Sequence, residues 1–287
     1  MQNIDNTFMS FDKSYHEAKI VYFGCPFDGT ASFKKGAVQG PEEIREASYG
    51  LENYSPYLNL DLEEDTKIID VGDLDLQMKS IENVLEEIKV FSRRIVADNK
   101  VPLMVGGEHL VTLPVVESLI EKYPDLHIVH LDAHMDLRNE YEGERLSHAT
   151  VMRRIFDLVK PMRIYQFGIR SGTKEEFIFA EKHCKCNHFN LDKMDNLVEE
   201  IGDKPVYVTI DLDVLDPSIF PGTGTQEPGG VTFKEMIEGM LSLRGLNIVG
   251  ADIVELAPNL DTSGVSTACA CKVVREIALI ISDNIRG

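Results

Sequence analysis

Apolar positions along the chain fall into two patterns. Short unbroken apolar or β-branched runs recur at 20–23, 68–71, 101–105, 128–131, 163–168, 206–210 and 246–253. Between several of them lie segments with helical spacing. The clearest is Ile81, Val84, Leu85, Ile88, Phe91 and Ile95, which keeps an i, i+3/i+4 rule along one face. Strands alternating with helices predict βαβ units and a mostly parallel sheet. Because the strands are continuous rather than alternating, both faces of that sheet need covering, which predicts a three-layer α/β/α arrangement. The stretch 265–281 reads as a C-terminal core helix, where Cys269 and Cys271 act as small apolar residues. No internal repeat, low-complexity tract or Pro/Gly/Ser linker divides the chain, so residues 1–287 are expected to form a single domain.

Ligands of parallel sheets collect at the carboxyl ends of the strands, so the residues just after each run carry the functional information. One run ends in Gly106-Gly107-Glu108-His109, where two glycines allow a sharp turn and put His109 at the rim. A second ends in Asp132-Ala133-His134-Met135-Asp136. On a strand running into its exit loop, Asp132, His134 and Asp136 share one face. A third ends in Asp211-Leu212-Asp213. Two acidic pairs at matching ends of two buried strands would repel and stay desolvated unless cations sat between them. Two imidazoles (His109, His134) and four carboxylates (Asp132, Asp136, Asp211, Asp213) suit a hard or borderline dication, and no cysteine lies in these motifs. Six ligands exceed what one catalytic ion uses, so the set predicts two ions sharing bridging carboxylates. Mn²⁺ fits best, with Co²⁺, Ni²⁺, Fe²⁺ and Zn²⁺ open.

Composition narrows the partners. With 29 Lys+Arg against 48 Asp+Glu, the net charge of −19 disfavours nucleic acid and anionic membranes and favours cationic ligands. No apolar run reaches the roughly 18 residues that span a bilayer. The segment from Met1 to Asn6 has no basic-then-apolar signal pattern, and an odd count of 5 cysteines suggests reduced thiols, so a cytoplasmic location is expected. Cys184-Lys185-Cys186 has no second pair and reads as incidental, and His16, His127, His130, His183 and His188 read as structural or surface residues. No G-x-G-x-x-G or phosphate loop supports nucleotide binding.

Taken in order and spacing, these motifs resemble those of the ureohydrolases, the arginase/agmatinase family of binuclear manganese enzymes. The stretch from Asp216-Pro217 through Pro221-Gly222-Thr223-Gly224-Thr225 to Pro228-Gly229-Gly230, and Asp252-Ile253-Val254-Glu255, carry the same resemblance. It implies the arginase-like fold and two Mn²⁺ ions per subunit. His109, Asp132, Asp136 and Asp211 would hold one ion, and Asp132, His134, Asp211 and Asp213 the other, so that Asp132 and Asp211 bridge. It further implies that a bridging hydroxide attacks the guanidinium carbon, with Asp136 hydrogen-bonded to it. Glu255 would pair with the guanidinium, His148 would shuttle a proton to the departing amine, and Thr225 would contact the substrate. Trimers or hexamers are implied as well.

Within the family, the segment 137–146 and the segments 24–30, 49–57 and 167–172 are similar to those of bacterial agmatinases, which implies agmatine as substrate and putrescine and urea as products. The acidic loop 137–146 is a sensible partner for the far amine of such a substrate. Hydrolysis of another guanidino or formimino compound (arginine, guanidinobutyrate, formiminoglutamate) is the rival enzyme reading, and a metal-binding homologue without turnover the non-enzyme one. Four positions depart from the family pattern: Glu108, Met135, Gln226 and Ala257. Met135 is expected to loosen the hydrogen bonding that orients the cluster, and Ala257 to weaken support of Glu255.

Overall fold

A computed structural model describes residues 6–286. Met1–Asp5, on which the expectation of no secretory signal partly rests, lie outside the described residues. Among the described residues there are ten strands: β1 (Ile20–Cys25), β2 (Tyr54–Ser55), β3 (Leu60–Asp61), β4 (Ile68–Asp73), β5 (Val101–Gly106), β6 (His127–Leu131), β7 (Ile164–Ile169), β8 (Lys185–His188), β9 (Pro205–Asp211) and β10 (Asn247–Val254). The helices are α1 (Gly40–Ser48), α2 (Leu62–Asp65), α3 (Ile81–Ala97), α4 (Thr112–Ile120), α5 (Val151–Leu158), α6 (Lys174–His183), α7 (Leu197–Ile201), α8 (Phe233–Leu241) and α9 (Val265–Arg286).

Eight strands form one sheet in the order β4-β1-β5-β10-β9-β6-β7-β8, every neighbouring pair parallel. Helices α1, α8 and α9 pack together on one face, and α3, α4 and α5 on the other, which is the expected three-layer arrangement. The reason is visible in the strands: β1 is buried at all six positions, so neither face could meet water. The two β2 and β3 strands form a separate antiparallel pair. Helix α3 follows the predicted stripe, with Val84, Ile88 and Ile95 buried and Ser80 accepting from the Asn83 amide at its start. Helix α9 runs five residues beyond the predicted 281, its buried face including Val273, Ile277 and Ile280.

Strand β8 was not anticipated. Lys185-Cys186-Asn187-His188 is short and polar, and it stands at the sheet edge, where pairing on one side suffices. Of the Cys-x-Cys pair, Cys186 lies in this strand and Cys184 caps the end of α6 just before it, and all five cysteines are free. Among the described residues no helix is long and apolar enough to cross a membrane.

Register is what matters for the site. Ile253 pairs with Val105 on one side and Ile210 on the other, and Ile210 in turn pairs with Leu131. The four central strands β5, β10, β9 and β6 therefore end level. Whatever follows Gly106, Val254, Asp211 and Leu131 emerges at one point on the carboxyl rim.

Candidate metal centre and substrate cleft

His109 is positioned first by a close approach. A Cβ on Gly107 would fall 1.8 Å from the Phe27 carbonyl oxygen, so only glycine lets the loop after β1 cross this strand end. The His109 amide then donates to Glu255 Oε1 at 2.8 Å, tying the end of β5 to the end of β10. Its ring has a fixed tautomer. The Thr209 hydroxyl donates its one proton to Asp252 Oδ1 at 2.6 Å, so at 2.9 Å it accepts from His109 Nε2. Tyr207 occupies the other Asp252 oxygen at 2.5 Å. Nδ1 is left bare. It lies 3.2 Å from Asp132 Oδ2 and 3.3 Å from both Asp136 Oδ2 and Asp211 Oδ2, fully buried and without a hydrogen bond.

Strand β6 and its exit loop supply Asp132, His134 and Asp136. Asp132 Oδ1 accepts from the His134 amide at 2.5 Å, and His134 Nδ1 stands 2.9 Å from Asp213 Oδ2. The donor atoms of Asp132, His134 and Asp213 all lie within 4.8 Å of one another. Strand β9 supplies Asp211 and Asp213, and Asp211 Oδ1 accepts from the Asp213 amide at 2.9 Å as the chain turns. All six sequence-predicted ligands are thus brought to one pocket from three strands.

Asp136 and Glu255 both adopt left-handed backbone conformations, with φ of 52° and 67°. Non-glycine residues rarely sit there, and such geometry gathers where a site over-determines the backbone. No sequence signal foretold it.

Two residues of the centre, His130 and Gln166, escaped the sequence reading. His130 is fully buried, and its Nε2 lies 2.7 Å from Asp132 Oδ2. Gln166 Nε2 donates to His130 Nδ1 and to the Met135 carbonyl, each at 3.0 Å, so the His130 proton is on Nε2 and points at Asp132. His130 orients a carboxylate rather than offering a lone pair. Its signal was parity: it stands two before Asp132 on one strand and so shares that face. Met135 is buried in the apolar layer, and the cluster takes its orientation from Gln166 and His130 instead.

The electrostatics ask for cations. Burial pushes Asp211 well above the usual carboxylate range, and the charges of Asp213 and Asp132 push it further. Asp213 is raised too, mainly by burial. Burial would keep His109 and His134 neutral, yet the surrounding carboxylates raise both well above the ordinary imidazole value. Asp132 is buried as deeply, but His130, His109 and His134 hold it below its usual range. Mixed oxygen and imidazole donors, one bare buried nitrogen and excess negative charge together fit dications. Bound dications would replace these protons and reverse the shifts.

Beside the cluster lies a cleft of about 330 Å³ whose walls include Glu255, His148, Thr225, Arg138, Tyr141 and Glu227. Burial, then the Glu108 charge, push Glu255 up to about 8, so a cation beside it would restore its negative charge. Burial lowers the His148 imidazole below its ordinary value; its ring nitrogens lie 3.2 Å from Ser32 Oγ and 3.3 Å from Ser147 Oγ. Thr225 Oγ1 stands 3.5 Å from Asp213 Oδ2, between the cluster and the cleft. Of the loop 137–146, Arg138 and Tyr141 face the cleft while Glu140, Glu142 and Glu144 are exposed elsewhere, so the acidic loop does not supply the expected amine partner. Glu227 stands there instead, held by the Ser171 hydroxyl at 2.8 Å. Ala257 leaves Glu255 to be held by the His109 amide, and Gln226 links Lys34 to the Pro221 carbonyl.

Comparison with known proteins shows the family. The model of the arginase family matches residues 18–280. The chain belongs to the arginase family. It is an enzyme of the ureohydrolase type. It is 46% identical to an agmatinase of Bacillus cereus, over 95% of each chain. A solved structure from Clostridium difficile overlays with a TM-score of 0.92 at 53% identity, covering 95% of this chain and all of that one. A guanidinobutyrase of Pseudomonas aeruginosa is 31% identical over 92% of this chain and 87% of its own length.

Proposed function

We propose that this enzyme hydrolyses agmatine to putrescine and urea, with two Mn²⁺ ions held by His109, Asp132, His134, Asp136, Asp211 and Asp213. The observation that carries the reading is Glu255: a carboxylate on the cleft wall, fixed by the His109 amide and adjoining the cluster. When bound, such an ion pair supplies water ionised near neutral pH and polarises the atom under attack.

The chain's own residues do the rest. Glu255 pairs with the guanidinium and aims its carbon at the cluster, a task suited to a planar cation and a carboxylate. Thr225 lines the approach. Asp136 accepts a hydrogen bond from the attacking water. His148, an imidazole that burial makes a readier proton donor, delivers a proton to the departing amine nitrogen. The carbon–nitrogen bond breaks with its electron pair going to that nitrogen, so guanidinium plus water gives urea plus an alkylammonium ion. The cleft favours a second cationic end, because with Asp136 and Asp211 on the ions, Glu255 on the guanidinium and Glu176 facing Arg138 at 3.5 Å, Glu227 is the wall carboxylate left to meet it. A cytoplasmic, trimeric or hexameric enzyme built from one domain over 1–287 belongs to the same reading.

Arg138 favours a second reading, a guanidino acid such as 4-guanidinobutyrate, whose carboxylate it would meet. Urea release from the Mn²⁺-loaded enzyme, with agmatine, arginine and 4-guanidinobutyrate side by side, decides between them. Agmatine should lead in kcat/KM by at least tenfold; a lead for 4-guanidinobutyrate selects the second reading.

A further inference from the structure

We propose that Glu108 is a positioning residue for His148, acting through Thr30 of the loop after β1. The inference rests on the reading of His148 as proton donor.

Glu108 has no exposed surface, yet it is not aimed at the ligand cluster. Both of its carboxylate oxygens accept from the Thr30 amide, at 3.0 and 3.1 Å, and Oε1 also accepts from the Thr30 hydroxyl at 2.7 Å. A buried carboxylate is costly unless hydrogen bonds repay its lost hydration, and here one residue supplies all three. The Thr30 hydroxyl has one proton, which goes to Glu108, and its lone pair accepts from the His148 amide at 3.1 Å. The relay therefore has a single direction: His148 to Thr30 to Glu108.

The loop needs such a tether. Residues 32–35 are exposed, Phe33 to 72%, so little packing holds this stretch. Its other fixed points are Phe27, whose carbonyl accepts from the Glu108 amide at 2.8 Å, Asp28, which accepts from the Gly36 amide at 3.0 Å, Lys34, whose Nζ donates to Gln226 Oε1 at 3.2 Å, and Lys35, whose carbonyl accepts from Asn259 at 3.2 Å. Between them the loop carries Ser32 Oγ to 3.2 Å from His148 Nε2. Thr30 thus holds the His148 backbone, and the same loop touches its ring. Glu108 anchors the start of the segment that makes both contacts.

The test uses the full-length, metal-loaded enzyme with agmatine. Thr30→Val keeps the shape but removes the relay, and should lower kcat at least tenfold with KM and metal content within twofold of wild type. Thr30→Ser, which restores the hydroxyl, should recover kcat to within about threefold. Glu108→Met, which removes both acceptor oxygens at similar volume, should mimic Thr30→Val. In a His148→Asn background, Thr30→Val should cost little further, because both changes remove the same function. Undiminished kcat in Thr30→Val, no recovery in Thr30→Ser, or full additivity with His148→Asn would each overturn the tether. An unimpaired His148→Asn enzyme would instead overturn the proton-donor reading on which it stands.

Discussion

At the residue scale, function rests on a few atoms whose protons are fixed by neighbours. Asp132 and Asp211 face both imidazole ligands or their partners, so Asp132→Ala or Asp211→Ala should remove bound metal and lower turnover by at least about a thousandfold, read by elemental analysis and urea assay together. Retained metal in either variant contradicts a bridging role. Glu255→Gln should keep the metals and lose about a hundredfold in kcat/KM, near 2.7 kcal/mol, as expected when one member of a desolvated charge pair is neutralised. His130 and Gln166 act behind Asp132 through hydrogen bonds of 2.7 and 3.0 Å. His130→Asn or Gln166→Leu should therefore weaken metal binding by about 10- to 100-fold in a calorimetric titration. The candidate ligands were legible in the sequence because acidic pairs after apolar strands are rare. Gln166 was not, since its role depends on β7 lying beside β6, and nothing local to Gln166 says so.

At the element scale, loops after strands carry the cleft, and polar caps shape them. The loop from Asp216 to Gly230 holds Thr225 and Glu227 in place. Asp216 accepts from the Ser218 hydroxyl and amide and from the Gly229 and Gly230 amides, which hold its pKa down to about 2. A depressed carboxylate stabilises the fold above its unfolded pKa and loses that contribution as pH falls through the folded value. Stability should thus decline from about pH 4 to pH 2, and Asp216→Asn should remove about 1 kcal/mol of that slope after allowance for solvent screening. Denaturant midpoints at pH 7, 4 and 2.5 would show it; an unchanged slope in the variant refutes the assignment. Elements with strong periodicity, such as α3, were readable at their correct span. Polar β8 was not, because an edge strand takes its structure from a neighbour rather than from its own pattern.

At the scale of the whole molecule, four buried aspartates and two histidines at one rim make the fold depend on what neutralises them. Stripping divalent ions with a chelator should lower Tm by about 5–10 °C at metal levels near a hundred times Kd. Re-addition of Mn²⁺ should restore it, and Asp132→Ala should show no such response; an equal Tm with and without metal would exclude a coupled site. By itself the sequence determined the layered parallel fold and singled out the six acidic and imidazole side chains that meet at the rim, because both follow from patterns a few residues long: unbroken apolar runs, helical stripes and charges placed where such runs stop. Only the tertiary structure decided that β5, β10, β9 and β6 end level, that His109 is bare at Nδ1, that Glu227 rather than the 137–146 acids faces the cleft, and that Glu108 reaches His148 through Thr30. Those facts depend on distances between segments far apart in the chain. Register and packing set such distances, and no local pattern of side chains encodes them.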